Sequence, residues 1–343
     1  MLLFRRREER SADLNDSLTS GTPPLFVTDL DELCGLLHLP KQSETAFQSV
    51  TADFPLLVSK SYLSRIPKGD LENPLLLQIM PRLEELDNPP GFECDPVGEN
   101  RSLTSSGTLR KYPGRLLIVA TSNCAVHCRF CFRRHLRDRF PTLGEAQWRR
   151  IHAEIEADPS LHEVILSGGD PLMLEDGNLA ALLARLSRAR HVRRVRLHTR
   201  IPIVLPQRVT DELIGTLLQS RGAGIAIIVV IHVNHPNEID EAVATAFGRF
   251  IDAGIPLFSQ TVLLRRVNDR LEVLAELFER LVDLRVMPYY LHQLDRVAGA
   301  AHFEVPETVG VELVRQLRAI LPGYAVPRHV RETVGATSKQ ILA

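Results

Sequence analysis

The sequence predicts an α/β fold: an incomplete TIM barrel of the (β/α)6 type, with an α-helical N-terminal region and a short C-terminal extension. Between residues 109 and 325, six short apolar runs alternate with amphipathic stretches, which is typical of βαβ units and a parallel sheet. A doubly wound sheet satisfies the same alternation. Polar residues end several runs, as in SGGD, HTR and HVNH, and this favours a barrel, whose sites form at the carboxyl ends of its strands.

Residues 1–108 are predicted to form the helical N-terminal region and a connecting segment. The basic opening residues are expected to be a solvated terminus. TDLDELCGLLHL (28–39) indicates a short amphipathic helix opened by a Thr or Asp cap. NPLLLQIMPRLEEL (73–86) indicates another, broken by Pro81. From Asp87 to Thr108 proline, glycine, asparagine and serine are dense, which is typical of turns.

The barrel domain is predicted to span residues 109–325, and a C-terminal segment to span 326–343. Amphipathic stretches such as GNLAALLARLSRA and LEVLAELFERLVDL separate the strands, with apolar residues three and four positions apart. The predicted strands are RLLIVA (115–120), EVILSGGD (163–170), RRVRLHTR (193–200), GIAIIVVIHVNH (224–235), IPLFSQTVLL (255–264) and LRVMPYYLH (284–292).

Charge and cysteine content narrow the function classes. The chain has 41 basic and 42 acidic residues, so general attraction to nucleic acid or to a membrane surface is not expected. No apolar run approaches the roughly 20 residues of a membrane span, and the opening residues lack the pattern of a secretory signal. The five cysteines do not suggest a disulfide framework, and the expected location is a reducing cytoplasm.

Three thiols lie close together in CAVHCRFCFRRH (124–135), directly after the first predicted strand. A structural zinc site normally needs four ligands, so a fourth would have to be His127, His135 or a distant residue. An iron–sulfur cluster takes cysteine thiolates, and three ligands on a four-iron cube leave one iron open. The C-x3-C-x2-C spacing after the first barrel strand is the signature of radical S-adenosylmethionine enzymes. The predicted cluster ligands are Cys124, Cys128 and Cys131.

Further motifs resemble the lysine 2,3-aminomutase family, and within it most closely the short bacterial relatives that make β-lysine for modifying elongation factor P. The resemblance extends from about Phe54 almost to the C-terminus, and the first fifty residues match only loosely. It rests on KYPGRLLIVATSNCAVHCRFCFRRH, ILSGGDPLM, RLHTRIPIVLPQRVT, HVNHPNEID, QTVLLRRVND, VMPYYLHQLDRVAGAAHFEVP and the terminal GATSK.

The resemblance implies a [4Fe-4S] cluster whose fourth iron binds S-adenosylmethionine. The SGGD turn would lie against that cofactor, and the residue types agree. Gly168 and Gly169 have no Cβ, so the backbone can approach a ligand closely and adopt positive φ, and Asp170 would orient the turn. The residues implied to bind S-adenosylmethionine are Gly168, Gly169, Asp170, Arg200, Gln207 and His232.

Pyridoxal phosphate is the second organic cofactor that the resemblance implies. Lys339 of GATSK would form the Schiff base with it, and the small residues around this lysine would let the chain end fold over the barrel mouth. Lys111, Tyr112 and Arg115 match positions around the same cofactor, and Gln260 is a further candidate.

The implied substrate is L-lysine. Arg133 would bind its carboxylate, as a planar guanidinium does well, while Asp295 and Glu332 would bind its distant ammonium. The implied product is β-lysine, which connects the enzyme functionally with elongation factor P and its ligase. A one-electron reductant must supply the cluster. The longer aminomutases have a zinc-binding C-terminal extension that this chain lacks, so no structural zinc is expected.

Two alternatives remain at this point. Another radical aminomutase would act on a different amino acid, such as glutamate, or on protein-bound lysine. A non-enzymatic zinc-loop interaction protein would use the three cysteines differently, and metal analysis separates it from both enzymes. The sequence leaves the oligomeric state open.

Overall fold

The N-terminal region contains one small antiparallel ladder. The structure is a computed structural model that describes residues 25–343 except 42–43, 137–138, 141–142 and 223, so the predicted solvated opening lies outside the described residues. The ladder was not predicted, because strands of two residues have no alternation to detect. It consists of β1 (Phe26–Val27) and β2 (Val58–Ser59).

Short helices form much of the remaining N-terminal structure. The Asp29 carboxylate caps the first helix by accepting a hydrogen bond from the Glu32 amide at 2.8 Å. The second predicted helix is reduced to a single α-helical turn and a separate 3-10 turn (Leu83–Leu86), with Pro81 between them. The helices are α1 (Leu30–Leu37), α2 (Glu44–Asp53), α3 (Lys60–Leu63), α4 (Pro74–Leu77) and α5 (Glu99–Ser102).

In the described part of the chain, the large sheet has eight strands in the order β10-β9-β8-β7-β6-β5-β4-β3. Neighbouring strands from β3 to β9 are parallel, and β10 is antiparallel to β9. All six predicted runs form strands. They are β3 (Arg115–Thr121), β4 (Glu163–Gly168), β5 (Arg194–Thr199), β6 (Ala226–His232), β7 (Leu257–Val262) and β8 (Met287–His292).

The sheet is open, as the incomplete barrel requires. Its edge strands are β3 and β10, and Leu109 bridges the free edge of β3 through backbone hydrogen bonds with Leu117. The C-terminal segment extends the sheet with two short strands that were not predicted individually. These strands are β9 (Arg328–Arg331) and β10 (Gln340–Ile341).

Helices follow most of the parallel strands, as βαβ units require. The Asp240 carboxylate caps one of them by accepting from the Val243 amide at 2.9 Å. None of the helices in the described residues is both long enough and apolar enough to cross a membrane. The helices are α6 (Glu145–Glu156), α7 (Asp176–Leu186), α8 (Ile201–Val204), α9 (Asp211–Gly222), α10 (Glu241–Asp252), α11 (Leu271–Asp283) and α12 (Glu307–Ile320).

The two faces of the sheet have different surroundings. Along β5, Val195 and Leu197 are fully buried in the hydrophobic core. The alternating residues Arg194, Arg196 and His198 line a cavity on the other face. Because side chains alternate between faces along a strand, the sheet separates an apolar core from a polar interior.

Candidate active site

A cavity of about 770 Å³ is lined by residues from every strand of the large sheet. All of the predicted site residues line it except Gln207, which is exposed in the 3-10 turn Pro206–Arg208. Residues distant in sequence, such as Lys111 and Lys339, meet there. The fold thus brings the residues predicted for cluster, cofactors and substrate into one space.

The cysteine loop, residues 122–135, is held by the N-terminal region. The His127 amide donates to the Leu57 carbonyl at 2.8 Å, and the Arg129 amide donates to the Gln78 carbonyl at 2.9 Å. These backbone contacts give the N-terminal region a role that its sequence did not reveal: it fixes the shape of the loop that carries the three thiols.

A buried carboxylate strengthens this attachment. Glu85 accepts from Arg129 Nε at 2.8 Å and from Arg129 Nη2 at 2.6 Å, and it also accepts from Arg134 Nη2 at 2.6 Å. Buried charges are tolerated only when they are paired and hydrogen-bonded. Glu85 therefore neutralises Arg129 and Arg134 and attaches the loop to the N-terminal region.

The two histidines of the loop contact backbone carbonyls. His127 Nδ1 donates to the Pro55 carbonyl at 2.7 Å, and His135 Nε2 donates to the Ala298 carbonyl at 3.0 Å. Among the described residues, no three histidine, cysteine, aspartate or glutamate side chains are arranged to hold a single metal ion. A four-iron cluster differs from such a site, because each thiolate binds its own iron.

The SGGD turn packs directly on the start of the cysteine loop. The Gly169 amide donates to the Thr121 carbonyl at 2.7 Å, and the Asp170 amide donates to the Asn123 carbonyl at 2.8 Å. A Cβ at Gly168 would overlap the Thr121 carbonyl oxygen, and one at Gly169 would overlap the Asn123 carbonyl oxygen. The glycines permit a close approach, as predicted. The atoms that come close to them in the structure belong to the protein backbone at Thr121 and Asn123.

Asp170 joins the ends of β4 and β5. Its carboxylate accepts from the Thr199 hydroxyl at 2.7 Å, the Arg200 amide at 2.6 Å and the Leu172 amide at 3.0 Å. Burial raises the pKa of Asp170 to about 6, and these hydrogen bonds oppose the shift. These contacts hold the SGGD turn against the start of the segment after β5, and a contact of Asp170 with S-adenosylmethionine stays a prediction.

His232, at the end of β6, is a neutral ring. Burial is the main reason that its pKa falls to about 3, and Arg200 lowers it further. Its Nε2 lies 3.1 Å from Asn234 Oδ1, which also accepts from the Val262 amide at 2.9 Å. Because that oxygen is an acceptor, His232 Nε2 carries the proton and Nδ1 keeps its lone pair.

Lys339 reaches the cavity because β10 folds back along β9. The ammonium of Lys339 pairs with the Glu332 carboxylate, which also accepts from the Tyr112 hydroxyl at 2.7 Å and lies 3.4 Å from Lys111 Nζ. Burial raises the pKa of Glu332, but Lys339 and Lys111 outweigh it, so the pKa lies below its usual value. Glu332, which was predicted to bind substrate, therefore contacts three residues predicted for pyridoxal phosphate.

Asp295 lines the same part of the cavity. Burial is the largest cause raising its pKa to about 6, with Lys339 opposing the shift and Glu332 adding to it. Asp295 and Glu332 thus share this part of the cavity with Lys339 and Lys111, and their carboxylates could hold an ammonium group once Lys339 is engaged elsewhere.

Arg133 is buried and already paired. Its Nε lies 2.9 Å and its Nη2 2.6 Å from oxygens of Glu99, and its Nη1 donates to the Ser167 hydroxyl at 2.8 Å. Glu99 belongs to α5, inside the segment predicted as a linker, and it was not predicted as a site residue. Arg133 was expected to bind the substrate carboxylate, and it would have to do so while it stays paired with the Glu99 carboxylate.

Other cavity residues were also missed. His198 and His292 line the cavity, and burial lowers the pKa of each well below its usual value. The alternation of polar and apolar residues in RRVRLHTR was a usable signal for the polar interior. The cationic side chains missed by sequence analysis are Arg194, Arg196 and Arg328.

The chain is similar to curated lysine 2,3-aminomutases over most of its length. The L-lysine 2,3-aminomutase of Escherichia coli K12 is 41% identical over 317 residues, covering 92% of each chain. That of Haemophilus influenzae is 37% identical, covering 92% of this chain and 93% of its own. That of Clostridium subterminale is 34% identical, covering 91% of this chain and 74% of its own.

Two further comparisons concern the barrel. The Radical SAM superfamily profile matches residues 118–278. A solved structure described as native anSMEcpe with bound AdoMet and Kp18Cys peptide has a TM-score of 0.45 and 13% identity, covering 59% of this chain and 58% of that chain. The profile match includes all three clustered cysteines.

An open parallel barrel with three cysteines after its first strand defines a radical S-adenosylmethionine enzyme. Within that superfamily, the chain belongs to the lysine 2,3-aminomutase family. It is a radical aminomutase, an isomerase, and enzymes of this superfamily use a [4Fe-4S] cluster and S-adenosylmethionine.

The cavity suits these two groups. Cys124, Cys128 and Cys131 all line it and are partly exposed, so their thiolates are available to iron. Arg200 donates from Nη1 to Cys128 Sγ at 2.7 Å. Its buried Nε has no hydrogen-bond partner among the described residues, so a cationic donor remains for an anionic group such as a cofactor carboxylate.

Proposed function

We propose that this enzyme converts L-α-lysine to β-lysine, moving the amino group from carbon 2 to carbon 3, with pyridoxal phosphate bound to Lys339. The observation that carries the proposal is that Lys339 lines the same cavity as the three cysteines. A lysine near the chain end is ordinarily solvated, but this side chain is only 25% exposed and is paired with Glu332. The names of the relatives, L-lysine 2,3-aminomutase, support the same reaction.

The charges in the cavity complement those of lysine. Asp295 and Glu332 would hold the distant ammonium, since both are acidic side chains of the cavity and both interact with the lysines that line it, Lys339 and Lys111. Arg133 would bind the substrate carboxylate. Its contacts with Glu99, Ser167 and Gly168 leave one of its five N–H groups unused, and that donor would bind the substrate carboxylate while Glu99 orients the guanidinium.

The cationic wall of the cavity suits the phosphate of pyridoxal phosphate. Lys111 and Arg115 were expected around this cofactor, and Arg196 and Arg328 add positive charge that the sequence had not suggested. Tyr112 would hold Glu332 in place through its 2.7 Å hydrogen bond. The cluster and S-adenosylmethionine supply a carbon-centred radical, and pyridoxal phosphate carries the migrating nitrogen.

The protein's own part in the reaction is binding, orientation and exclusion of water. The neutral rings of His198, His232 and His292 surround the reaction space without adding positive charge that would repel the substrate ammonium. Gln260 of β7, the register partner of His232, adds a neutral hydrogen-bonding side chain to the cavity lining. We propose no proton transfer by these groups.

The wider context belongs to the same proposal. A one-electron reductant would supply the cluster, and a reducing cytoplasm suits thiolates that must bind iron. The β-lysine formed would serve the modification of elongation factor P by its ligase. The motif resemblance stated above is the support for this link.

The test is an anaerobic assay. Protein reconstituted with iron, sulfide and pyridoxal phosphate is given S-adenosylmethionine, dithionite and L-lysine, and β-lysine and deoxyadenosine are measured by mass spectrometry. We expect both products. Deoxyadenosine without β-lysine would preserve the radical chemistry and reject lysine as the substrate. Neither product, in protein shown to hold four irons, would reject the proposal.

The same assay with other substrates addresses the alternatives. Glutamate would place a carboxylate against Asp295 and Glu332, and like charges in a buried site repel strongly. We therefore expect no turnover of glutamate. Turnover of a lysine-containing peptide at the rate of free lysine would favour the alternative of a protein-bound substrate.

A further inference from the structure

Arg200 lies between the cysteine loop and a buried carboxylate. It follows the end of β5 and is 6% exposed. Its Nη1 donates to Cys128 Sγ at 2.7 Å, and its Nη2 donates to Glu238 Oε1 at 2.7 Å and to Gln78 Oε1 at 2.6 Å. One guanidinium therefore contacts both a thiol of the cluster loop and a fixed negative charge.

The surroundings hold Arg200 in one position. Glu238 is fully buried, and its carboxylate also accepts from the Tyr62 hydroxyl at 3.0 Å and the Asn234 amide at 2.7 Å. The guanidinium carbon lies 5.7 Å from the ring centroid of Tyr62 and 5.6 Å from that of Phe130. A buried cation with a counter-ion and two aromatic neighbours has little freedom to move away from Cys128.

A hydrogen bond from a cation to a cysteine ligand changes the reduction potential of an iron–sulfur cluster. Reduction adds one negative charge to the cluster, and hydrogen bonds to its sulfur ligands and nearby charges set its reduction potential. A cationic donor on Cys128 stabilises the reduced state. The Glu238 carboxylate beyond the guanidinium destabilises the reduced state. The low dielectric constant of the buried site strengthens both electrostatic effects.

We propose that Arg200 is a positioning residue that raises the reduction potential of the cluster through its hydrogen bond to Cys128, and that Glu238 limits this effect by holding and neutralising the guanidinium. The inference rests on the cluster that this superfamily uses and not on the identity of the amino-acid substrate. It extends the role expected for Arg200, contact with S-adenosylmethionine, to the cluster itself.

The test compares reduction potentials in variants. Wild type, Arg200→Gln, Arg200→Lys and Glu238→Gln are reconstituted anaerobically, their iron content is measured, and the potential is determined by a redox titration followed by electron paramagnetic resonance. Neither S-adenosylmethionine nor lysine is present. The control is Arg208→Gln, which disrupts a partly buried pair with Asp176 that does not touch the cysteines.

We expect a more negative potential for Arg200→Gln, a less negative one for Glu238→Gln, and the wild-type value for Arg208→Gln. Arg200→Lys keeps the charge and should lie between wild type and Arg200→Gln. Shifts of the same sign in Arg200→Gln and Glu238→Gln, or none in protein with full iron, would overturn the proposal. If Arg200→Gln holds no cluster, the other two variants decide. Reduction potentials equal to that of wild type in both Arg200→Lys and Glu238→Gln would overturn the proposal.

This outcome is separable from that of the lysine assay. Failure to form β-lysine would leave the potentials as expected, because the titration contains no substrate. Unchanged potentials in an active enzyme would reject only the role assigned to Arg200 and Glu238.

Discussion

Lys339 and Glu332 form an ion pair inside the cavity, and the Glu332 carboxylate is 9% exposed. The turn between β9 and β10 separates the two residues in the chain. Glu332 also contacts Tyr112 and Lys111, which precede the first barrel strand. Glu332 thus links Lys339 and the rest of the C-terminal segment to the residues that precede β3.

This pairing suggests how the cavity changes when pyridoxal phosphate binds. If Lys339 held pyridoxal phosphate, its nitrogen would no longer be a free ammonium, and the Glu332 carboxylate would be available to another cation. The ammonium of lysine is a suitable replacement. The same carboxylate would therefore pair with Lys339 in the cofactor-free enzyme and would be available to the distant ammonium of an arriving substrate while Lys339 holds the cofactor.

Replacement of Glu332 by Gln should weaken lysine binding. A hydrogen bond to a charged group contributes about 1.5–3 kcal/mol, so we expect KM for L-lysine to rise about tenfold to a hundredfold, with a smaller change in kcat. Steady-state kinetics of β-lysine formation measure this. Glu307→Gln removes an exposed pair with Arg331 and should leave both constants unchanged. An unchanged KM in Glu332→Gln would contradict the assigned role.

Asp295 should make lysine use depend on pH. Its pKa is raised to about 6, chiefly by burial, so the carboxylate that attracts ammonium is the main form above that pH. We expect kcat/KM for L-lysine to fall as the pH is lowered through about 6. The Asp295→Asn variant should have a low kcat/KM at every pH and should not show this fall near pH 6. An acidic limb that persists unchanged in Asp295→Asn would assign the titration to another group.

Glu99 should affect lysine use through Arg133. Loss of its charge in Glu99→Gln leaves the buried guanidinium less well oriented and partly uncompensated, and we expect KM for L-lysine to rise about tenfold, or roughly 1.4 kcal/mol. Glu93→Gln changes an exposed residue of the same segment and serves as the control. Equal kinetics in the two variants would show that Arg133 does not need its carboxylate partner.

The glycines of SGGD should matter for stability before they matter for catalysis. Gly169→Ala would force the new Cβ against the Asn123 carbonyl, and overpacking of this kind costs about 1–3 kcal/mol. Urea unfolding should show that loss, together with lower iron content after reconstitution. Gly177→Ala, which meets no atom within 4 Å and lies in α7, should be at least as stable as wild type. Wild-type stability in Gly169→Ala would mean that the SGGD turn and the cysteine loop can move apart at little cost in free energy.

Much of the barrel was predictable because its strands are short apolar runs between strongly amphipathic helices. GIAIIVVIHVNH and LEVLAELFERLVDL differ clearly in period, and both form the predicted elements. β1, β2, β9 and β10 were not individually predictable, because two to four residues carry too little periodicity. Their pairing depends on contacts distant in sequence.

Site residues were predictable where they belong to a sequence motif. They were not predictable where their role depends on an ion pair between residues distant in sequence. The cysteine spacing identified the cluster loop, yet nothing in DPVGEN marked Glu99 as the partner of Arg133, thirty-four positions away. Glu85 was similarly hidden, because a glutamate in LEEL is ordinarily a solvated charge. Gln207 belongs to a matching motif, but its backbone turn directs it away from the cavity.

The proposed reaction requires Lys339, near the chain end, to bring a second cofactor into the cavity lined by the three cysteines. The most direct test of this requirement is borohydride reduction of the holoenzyme followed by peptide mass spectrometry, with Lys339→Ala in parallel. We predict one phosphopyridoxyl group, on the peptide that contains Lys339, and its loss in the variant. A label on Lys111 instead, or no label on wild-type protein supplied with pyridoxal phosphate, would contradict the account.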